Sequence, residues 1–146
     1  MKAVILCGGL GSRLGSFTAN CPKPLLTFQG KTILEWQILL LKKYNIREIY
    51  INLHYLSEQI ISSIGNGQKL GVKIFYKFQK RLNGTAGGVK IFQEELSGND
   101  PFFVFYGDII FFENLNRIIE HFKKTEALCT IFMHKNTNSN SYIITK

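Results

Sequence analysis

The stretch KAVILCGGLGSRL, residues 2–14, decides the reading of the fold. Its first half is a short apolar, partly β-branched run, which reads as a buried strand. Gly8 and Gly9 stop that run at once, and Gly11 follows, so the strand opens into a loop whose backbone can approach another group closely. A buried strand that ends in a glycine-rich loop is how many α/β sheets begin, and such a sheet needs strands and helices in alternation along the rest of the chain.

The alternation is there. TILEWQILLLKK (32–43) is apolar nearly all round, and Thr32 with Glu35 forms a capping box, so a mostly buried helix is expected. REIYINL (47–53) reads as the next strand, SEQIISSIGNG (57–67) as a shorter helix starting near Ser57 and ended by Gly65 and Gly67, and GVKIFYKF (71–78) as a strand burying Val72, Ile74, Tyr76 and Phe78 on its better covered side. TAGGVKIFQEEL (85–96) is a helix from Thr85, weakened by glycines. PFFVFYGD (101–108) is a continuous aromatic run that belongs in a sheet covered on both faces. Leu115, Ile118, Ile119 and Phe122 mark a further amphipathic helix, before two more strands in LCTIFMH (128–134) and SYIITK (141–146). The expected fold is α/β: one doubly wound, mostly parallel Rossmann-like sheet flanked by helices, with nothing after the last strand to cover or pair it.

The chain has 146 residues, 45% of them hydrophobic, which suits one domain with a sizeable core. Eighteen Lys and Arg against ten Asp and Glu leave a net charge of +8, which favours anionic partners. The cations are scattered in pairs such as Lys42-Lys43 and Lys123-Lys124, without aromatic interleaving, which excludes a recognisable nucleic-acid module. Cys7, Cys21 and Cys129 are odd in number and far apart, arguing against a disulfide framework or a zinc site and for a reducing, cytoplasmic setting. No apolar stretch reaches the length of a membrane span, so no membrane partner is expected. His54, His121 and His134 show no metal-ligand spacing and are assigned no role.

In doubly wound sheets ligands bind beyond the carboxyl ends of the strands, where Gly8, Gly9 and Gly11 lie. Glycines there point several N–H groups into one concavity, an arrangement suited to phosphate, and Arg13 and Lys23 add cations. On the loop alone, a tight turn with two solvated cations is the competing reading. A Walker loop ending in Gly30-Lys31-Thr32 would need glycine where Leu25 stands, and a dinucleotide fingerprint begun by Gly9 and Gly11 would need it at Leu14. Neither motif is present.

GGLGSRL (8–14), then PKPLL (22–26), and GK (30–31) before a capped helix resemble the signature of sugar-1-phosphate nucleotidylyltransferases. INLHYLSEQI (51–60), NGTAGGVK (83–90) and FFVFYGD (102–108) continue the resemblance in order, so that it covers essentially the whole chain as the N-terminal, nucleotide-binding portion of a nucleotidyltransferase domain, 1–146. A molybdopterin guanylyltransferase opening is similar through Gly15, but the ten-residue step from Arg13 to Lys23 fits the sugar-nucleotide group better.

The resemblance implies transfer of a nucleotidyl group, GTP being the expected donor, to a sugar-1-phosphate, with Mg2+ as cofactor and the NDP-sugar feeding polysaccharide synthesis. It implies Arg13 and Lys23 as catalytic cations, a nucleotide site of Leu6, Gly8, Gly9, Gly11, Ser12, Arg13, Lys23, Gln79, Gly84 and Thr85, and Asp108 as metal ligand. Asp108 could instead cap a turn, Gln79 could be a polar strand end, and Thr85 could cap its helix. The double-glycine opening, YGDI and the HKNTNSNSYI end lean toward the guanylyl branch acting on mannose- or heptose-1-phosphate, although Gln79 suits a pyrimidine as well. Gly15-Ser16, Thr32, Leu82 and Asn83 stand where the family commonly has Pro-containing sequence. Family members continue further, with a second metal aspartate and a sugar-phosphate lysine. A truncated or split-enzyme nucleotide-binding module without activity of its own is therefore the alternative, and a complementing C-terminal fragment or a second copy the expected protein partner.

Overall fold

The computed structural model describes residues 1–9 and 20–133. The chain divides into two compact units, Met1–Phe112 and Glu113–Lys146. The first runs through β1 (Lys2–Leu6), β2 (Thr27–Phe28), β3 (Lys31–Thr32), α1 (Ile33–Lys43), β4 (Glu48–Leu53), α2 (Ser57–Ile64), β5 (Lys73–Phe78), α3 (Gly84–Lys90) and β6 (Phe102–Tyr106). β2 and β3 pair antiparallel as a small ribbon, and the other four strands form one parallel sheet in the order β5-β4-β1-β6.

Parallel neighbours require a crossover, and here the crossovers are helical. α1 connects β1 to β4 and α2 connects β4 to β5, stepping outward in one direction. α3 then carries the chain back past β1, so β6 pairs along the other side of that strand. The direction of winding reverses between β1 and β6, as the expected doubly wound α/β class requires.

β1 lies at the centre of the core, between β4 and β6. Its Ala3, Val4 and Ile5 are fully buried. Strand parity sends Val4 and Leu6 to one face, Ala3 and Ile5 to the other. On the first face Val4 packs with Tyr50 and Phe92, with Leu6, Ile91 and Leu96 around them. On the second, Ile49 and Ile51 stand in register with Ala3 and Ile5. α1 buries Leu34, Ile38 and Leu41 as a stripe at i, i+4 and i+7, and it starts with the expected capping box: Thr32 Oγ1 accepts the Glu35 N–H at 3.1 Å while the Thr32 N–H donates to the Glu35 carboxylate at 2.7 Å. α2 starts at Ser57 and stops at Gly65, as its sequence predicts.

Three expectations change in the first unit. The helix expected over 85–96 is regular only over Gly84–Lys90 and continues as turns, since Gly87 and Gly88 weaken its middle. The aromatic run of β6 is not covered on both faces: Phe103 and Phe105 are half-buried, but Phe102, Val104 and Tyr106 are exposed. Phe92, which follows α3, sits over Val4 and Tyr50 instead of over β6, and β1 is the one strand paired with β6 among the described residues. In β5 the burial of Val72 and Ile74 fades through a half-buried Tyr76 to an exposed Phe78.

In the second unit α4 (Leu115–Thr125) has the expected inward stripe, with Leu115 buried and Ile118, Ile119 and Phe122 half-buried. Asn114 caps it, its side chain accepting the Asn116 N–H at 3.0 Å. Residues 128–133 are not a strand, because no neighbouring strand pairs with their backbone among the described residues. His134 and the strand expected over 141–146 lie outside the described residues.

Because Ile51 is fully buried in the strand beside β1, Ile51→Ala should cost about 2–5 kcal/mol through lost burial and the cavity left behind. Urea unfolding followed by circular dichroism measures this; a loss below about 1 kcal/mol would contradict the placement of this strand in the core.

Candidate functional site

The winding reversal leaves a crevice at the carboxyl ends of β1 and β6, the position where open α/β sheets hold ligands. A cleft of about 240 Å³ occupies it, lined by Leu6, Cys7, Gly8, Gly9, Lys23, Pro24, Asn52, Gln79, Leu82, Gly84, Thr85, Tyr106 and Asp108. The structure thus brings together Leu6, Gly8, Gly9, Lys23, Gln79, Gly84, Thr85 and Asp108 from the sequence-expected set. Gly11, Ser12 and Arg13 lie outside the described residues.

Two glycines allow the strand ends to converge. The Gly107 N–H donates to Leu6 O at 2.9 Å, and a Cβ on Gly107 would stand 2.6 Å from Cys7 Sγ and 3.0 Å from Leu6 O. A Cβ on Gly8 would meet Asn52 Nδ2 at 2.9 Å. Any larger residue would push β6 or the loop after β1 away from its neighbour. Cys7, buried beneath this junction, is no nucleophile: burial pushes its thiol pKa up, and the Asp108 carboxylate adds to the rise.

Lys23 opens a single 3-10 turn between Pro22 and Pro24. The Leu25 N–H returns to Pro22 O at 2.8 Å, and Pro24 is buried. The turn sets Lys23 Nζ 3.6 Å from Asp108 Oδ2, across from β6. The Asp108 side chain is 44% exposed, so the pair adds little to stability, on the order of 1 kcal/mol or less. Its consequence is a cation and a carboxylate side by side at the mouth of the cleft.

Two residues that the sequence reading did not single out organise this frame. Gln37 is buried on the inward side of α1, and its Nε2 donates to Tyr106 O at 2.7 Å and to Ile109 O. These carbonyls bracket Gly107-Asp108, so Gln37 holds the segment that carries the carboxylate. Asn52, near the end of β4, accepts the Cys7 N–H on Oδ1 at 2.7 Å and donates from Nδ2 to Gln79 Oε1 at 3.2 Å. The signal was present in both cases: an amide in an otherwise apolar stretch must find partners inside.

Gln79 follows β5 and extends the sheet by donating its N–H to Leu53 O at 2.8 Å, while His54 Nδ1 donates to the Gln79 carbonyl at 2.6 Å. Its side chain is buried, yet Nε2 has no partner among the described residues. A buried donor left unmatched costs roughly 1–3 kcal/mol, which an acceptor entering the cleft would recover. Thr85, in the first turn of α3, does not cap that helix with its side chain; its Oγ1 lies 3.1 Å from the Tyr106 hydroxyl.

The cleft thus holds an unmatched amide donor following β5, a cation and a carboxylate beside the end of β6, and the glycine backbone that follows β1, which lies between those strands in the sheet. No group of three or more His, Cys, Asp or Glu side chains is placed to hold a metal unaided among the described residues. Asp108 instead fits a metal completed by a ligand's own oxygens, as magnesium is when phosphate supplies much of its shell. No helix of the described residues is long and apolar enough to cross a membrane, and Cys7, Cys21 and Cys129 are free thiols.

Comparison with known proteins places this geometry in context. The mannose-1-phosphate guanylyltransferase catalytic subunit beta of Danio rerio is 40% identical over 112 residues, covering 75% of this chain and 31% of that protein. The UTP--glucose-1-phosphate uridylyltransferase of Synechocystis is 32% identical over 141 residues, covering 90% of this chain and 36% of that protein. Among solved structures, a Bacillus anthracis protein assigned as a glucose-1-phosphate thymidylyltransferase superposes with a TM-score of 0.78 at 31% identity, covering 85% of this chain and 50% of that one. This chain therefore spans between about a third and a half of the length of these relatives. The family model described as nucleotidyl transferase matches residues 2–144, and the chain belongs to that family.

Proposed function

We propose that the cleft binds a nucleoside triphosphate, base toward Gln79 and phosphates toward Lys23, for transfer of its nucleotidyl group to a sugar-1-phosphate. The observation that carries this reading is the buried, unmatched Gln79 Nε2 in the same cleft as the Lys23–Asp108 pair, Gln79 following β5 and Asp108 following β6, the two edges of the sheet. A nucleotide needs both: an edge-reading amide for its base and positive charge for its phosphates.

In the proposed reaction a phosphate oxygen of the sugar-1-phosphate attacks the α-phosphorus. The bond from that phosphorus to the bridging oxygen breaks, and pyrophosphate leaves with the electron pair. Positioning and charge neutralisation carry such a step, so no protein nucleophile is required, in keeping with the inert Cys7. Lys23, with Arg13 from the glycine-rich loop, neutralises phosphate oxygens, and the backbone at Gly8 and Gly9 lies against the nucleotide. Asp108 is the residue that would hold magnesium, which when bound supplies further positive charge to the phosphates. Gly84 and Thr85 also line the cleft and complete its contact with the nucleotide. GTP as donor and mannose- or heptose-1-phosphate as acceptor is the finer reading, supported by the Danio rerio relative, while the Synechocystis and Bacillus anthracis proteins are named for other bases. Nucleotide substrates and free thiols support a cytoplasmic site of action.

That Asp108 is the one carboxylate among the described lining residues favours one second reading, a nucleotide-binding portion that turns over only with a complementing polypeptide. Pyrophosphate release with magnesium, a panel of triphosphates and several sugar-1-phosphates separates the two. Release that needs both substrates supports the transferase; binding without release supports the portion; no binding of any triphosphate overturns both. Asp108→Asn should abolish magnesium-dependent release while leaving the fold intact by circular dichroism. Lys23→Met should weaken triphosphate binding by about tenfold or more, the worth of a charge-assisted contact, as read by calorimetry. Unchanged affinity would remove Lys23 from the phosphate end.

A further inference from the structure

A backbone group decides which end of the Gln79 amide is left without a partner. The Cys7 N–H can only donate, so the Asn52 atom 2.7 Å from it is Oδ1, and Nδ2 is left to face Gln79. Nδ2 donates to Oε1 at 3.2 Å, which makes Nε2 the end without a partner. Asn52 is 3% and Gln79 5% exposed, so water does not readily exchange these roles. The surroundings of Asn52 are tight as well: a Cβ on Gly88 would stand 3.0 Å from Asn52 Nδ2.

We propose that Asn52 is a positioning residue for base selection: it holds Gln79 with its amino end toward the ligand, so that the cleft prefers bases presenting a keto oxygen to those presenting an amino group. The proposal rests on the nucleotide reading of the cleft. Guanine, uracil and thymine carry a carbonyl at the ring position where adenine and cytosine carry an amino group. A donor in the wall bonds the first set and opposes the second. The ring nitrogen acceptor of adenine or cytosine lies one atom over, and reaching it displaces the base along the cleft.

Asn52→Asp tests the relay, because a carboxylate accepts from Cys7 but cannot donate to Gln79. Gln79 then turns its Nε2 toward the new carboxylate and presents Oε1 outward. Calorimetric titration of the purified chain with GTP, ATP, UTP and CTP in magnesium should give a preference of about tenfold for GTP over ATP and for UTP over CTP in the parent protein. The same two ratios should fall to one or below in Asn52→Asp. A carboxylate repels every triphosphate alike, so the ratios and not the affinities are the readout. Asn52→Ala, which buries no charge, lets Gln79 present either end and should bring both ratios toward one, so the test stands even where the aspartate variant does not fold. Ratios unchanged in a folded variant, or absent in the parent while all four nucleotides bind, would overturn the relay and leave the nucleotide reading intact. Failure of every triphosphate to bind the parent would overturn the nucleotide reading, and the relay with it.

Discussion

The cleft depends on one close approach, that of β6 to the end of β1. The Gly107 N–H reaches Leu6 O at 2.9 Å, and the space a side chain would need there is taken by the Cys7 thiol. Bringing these strand ends together turns the winding reversal into a crevice with a floor, and it carries Asp108 to within 3.6 Å of Lys23. Gln37 secures the arrangement from α1 by bonding the carbonyls on both sides of Gly107-Asp108. A carboxylate on an unsupported loop would wander. Here a buried amide from a helix more than sixty residues earlier in the chain limits its position.

What was legible in the sequence follows from how local each signal is. KAVILC, the Thr32–Glu35 capping box and the SEQIISSIG helix are specified by residues within a few positions of one another, and each forms as read. The alternation of such elements was enough for the α/β class. Burial at the sheet edge was not legible, because FFVFY has the same composition whether or not something covers both its faces; β6 proves to alternate. LCTIFM has strand propensity, but a strand also needs a neighbour to pair its backbone, and propensity carries no information about neighbours.

The candidate site divides along the same line. Gly8, Gly9, Lys23, Gln79 and Asp108 were singled out by motif, and they do line one cleft. Asn52 and Gln37 are not legible as site residues because each sits inside a segment dominated by apolar neighbours, and an amide there has meaning only once its partner is known. Asn52 finds Cys7 across a strand pair and Gln79 beyond the next strand, separations of 45 and 27 residues. Neither partnership is visible in a window of one element.

The weakness of α3 has its explanation in the same contacts. Gly87 and Gly88 each cost a helix on the order of 1 kcal/mol relative to alanine, and the helix is regular for only seven residues. Yet a Cβ on Gly88 would stand 2.9 Å from Leu6 Cδ2 and 3.0 Å from Asn52 Nδ2. Parallel register sets Leu6 beside Asn52, and strand parity turns both toward the face on which Val4, Tyr50 and Phe92 pack. A helix with a full side chain at Gly88 would have to stand off the sheet, leaving Asn52 and Gln79 open to water, which would satisfy either end of each amide. Gly88 trades helix stability for a dry relay. Local propensity is given up at the place where a fixed amide orientation would be of use to the site.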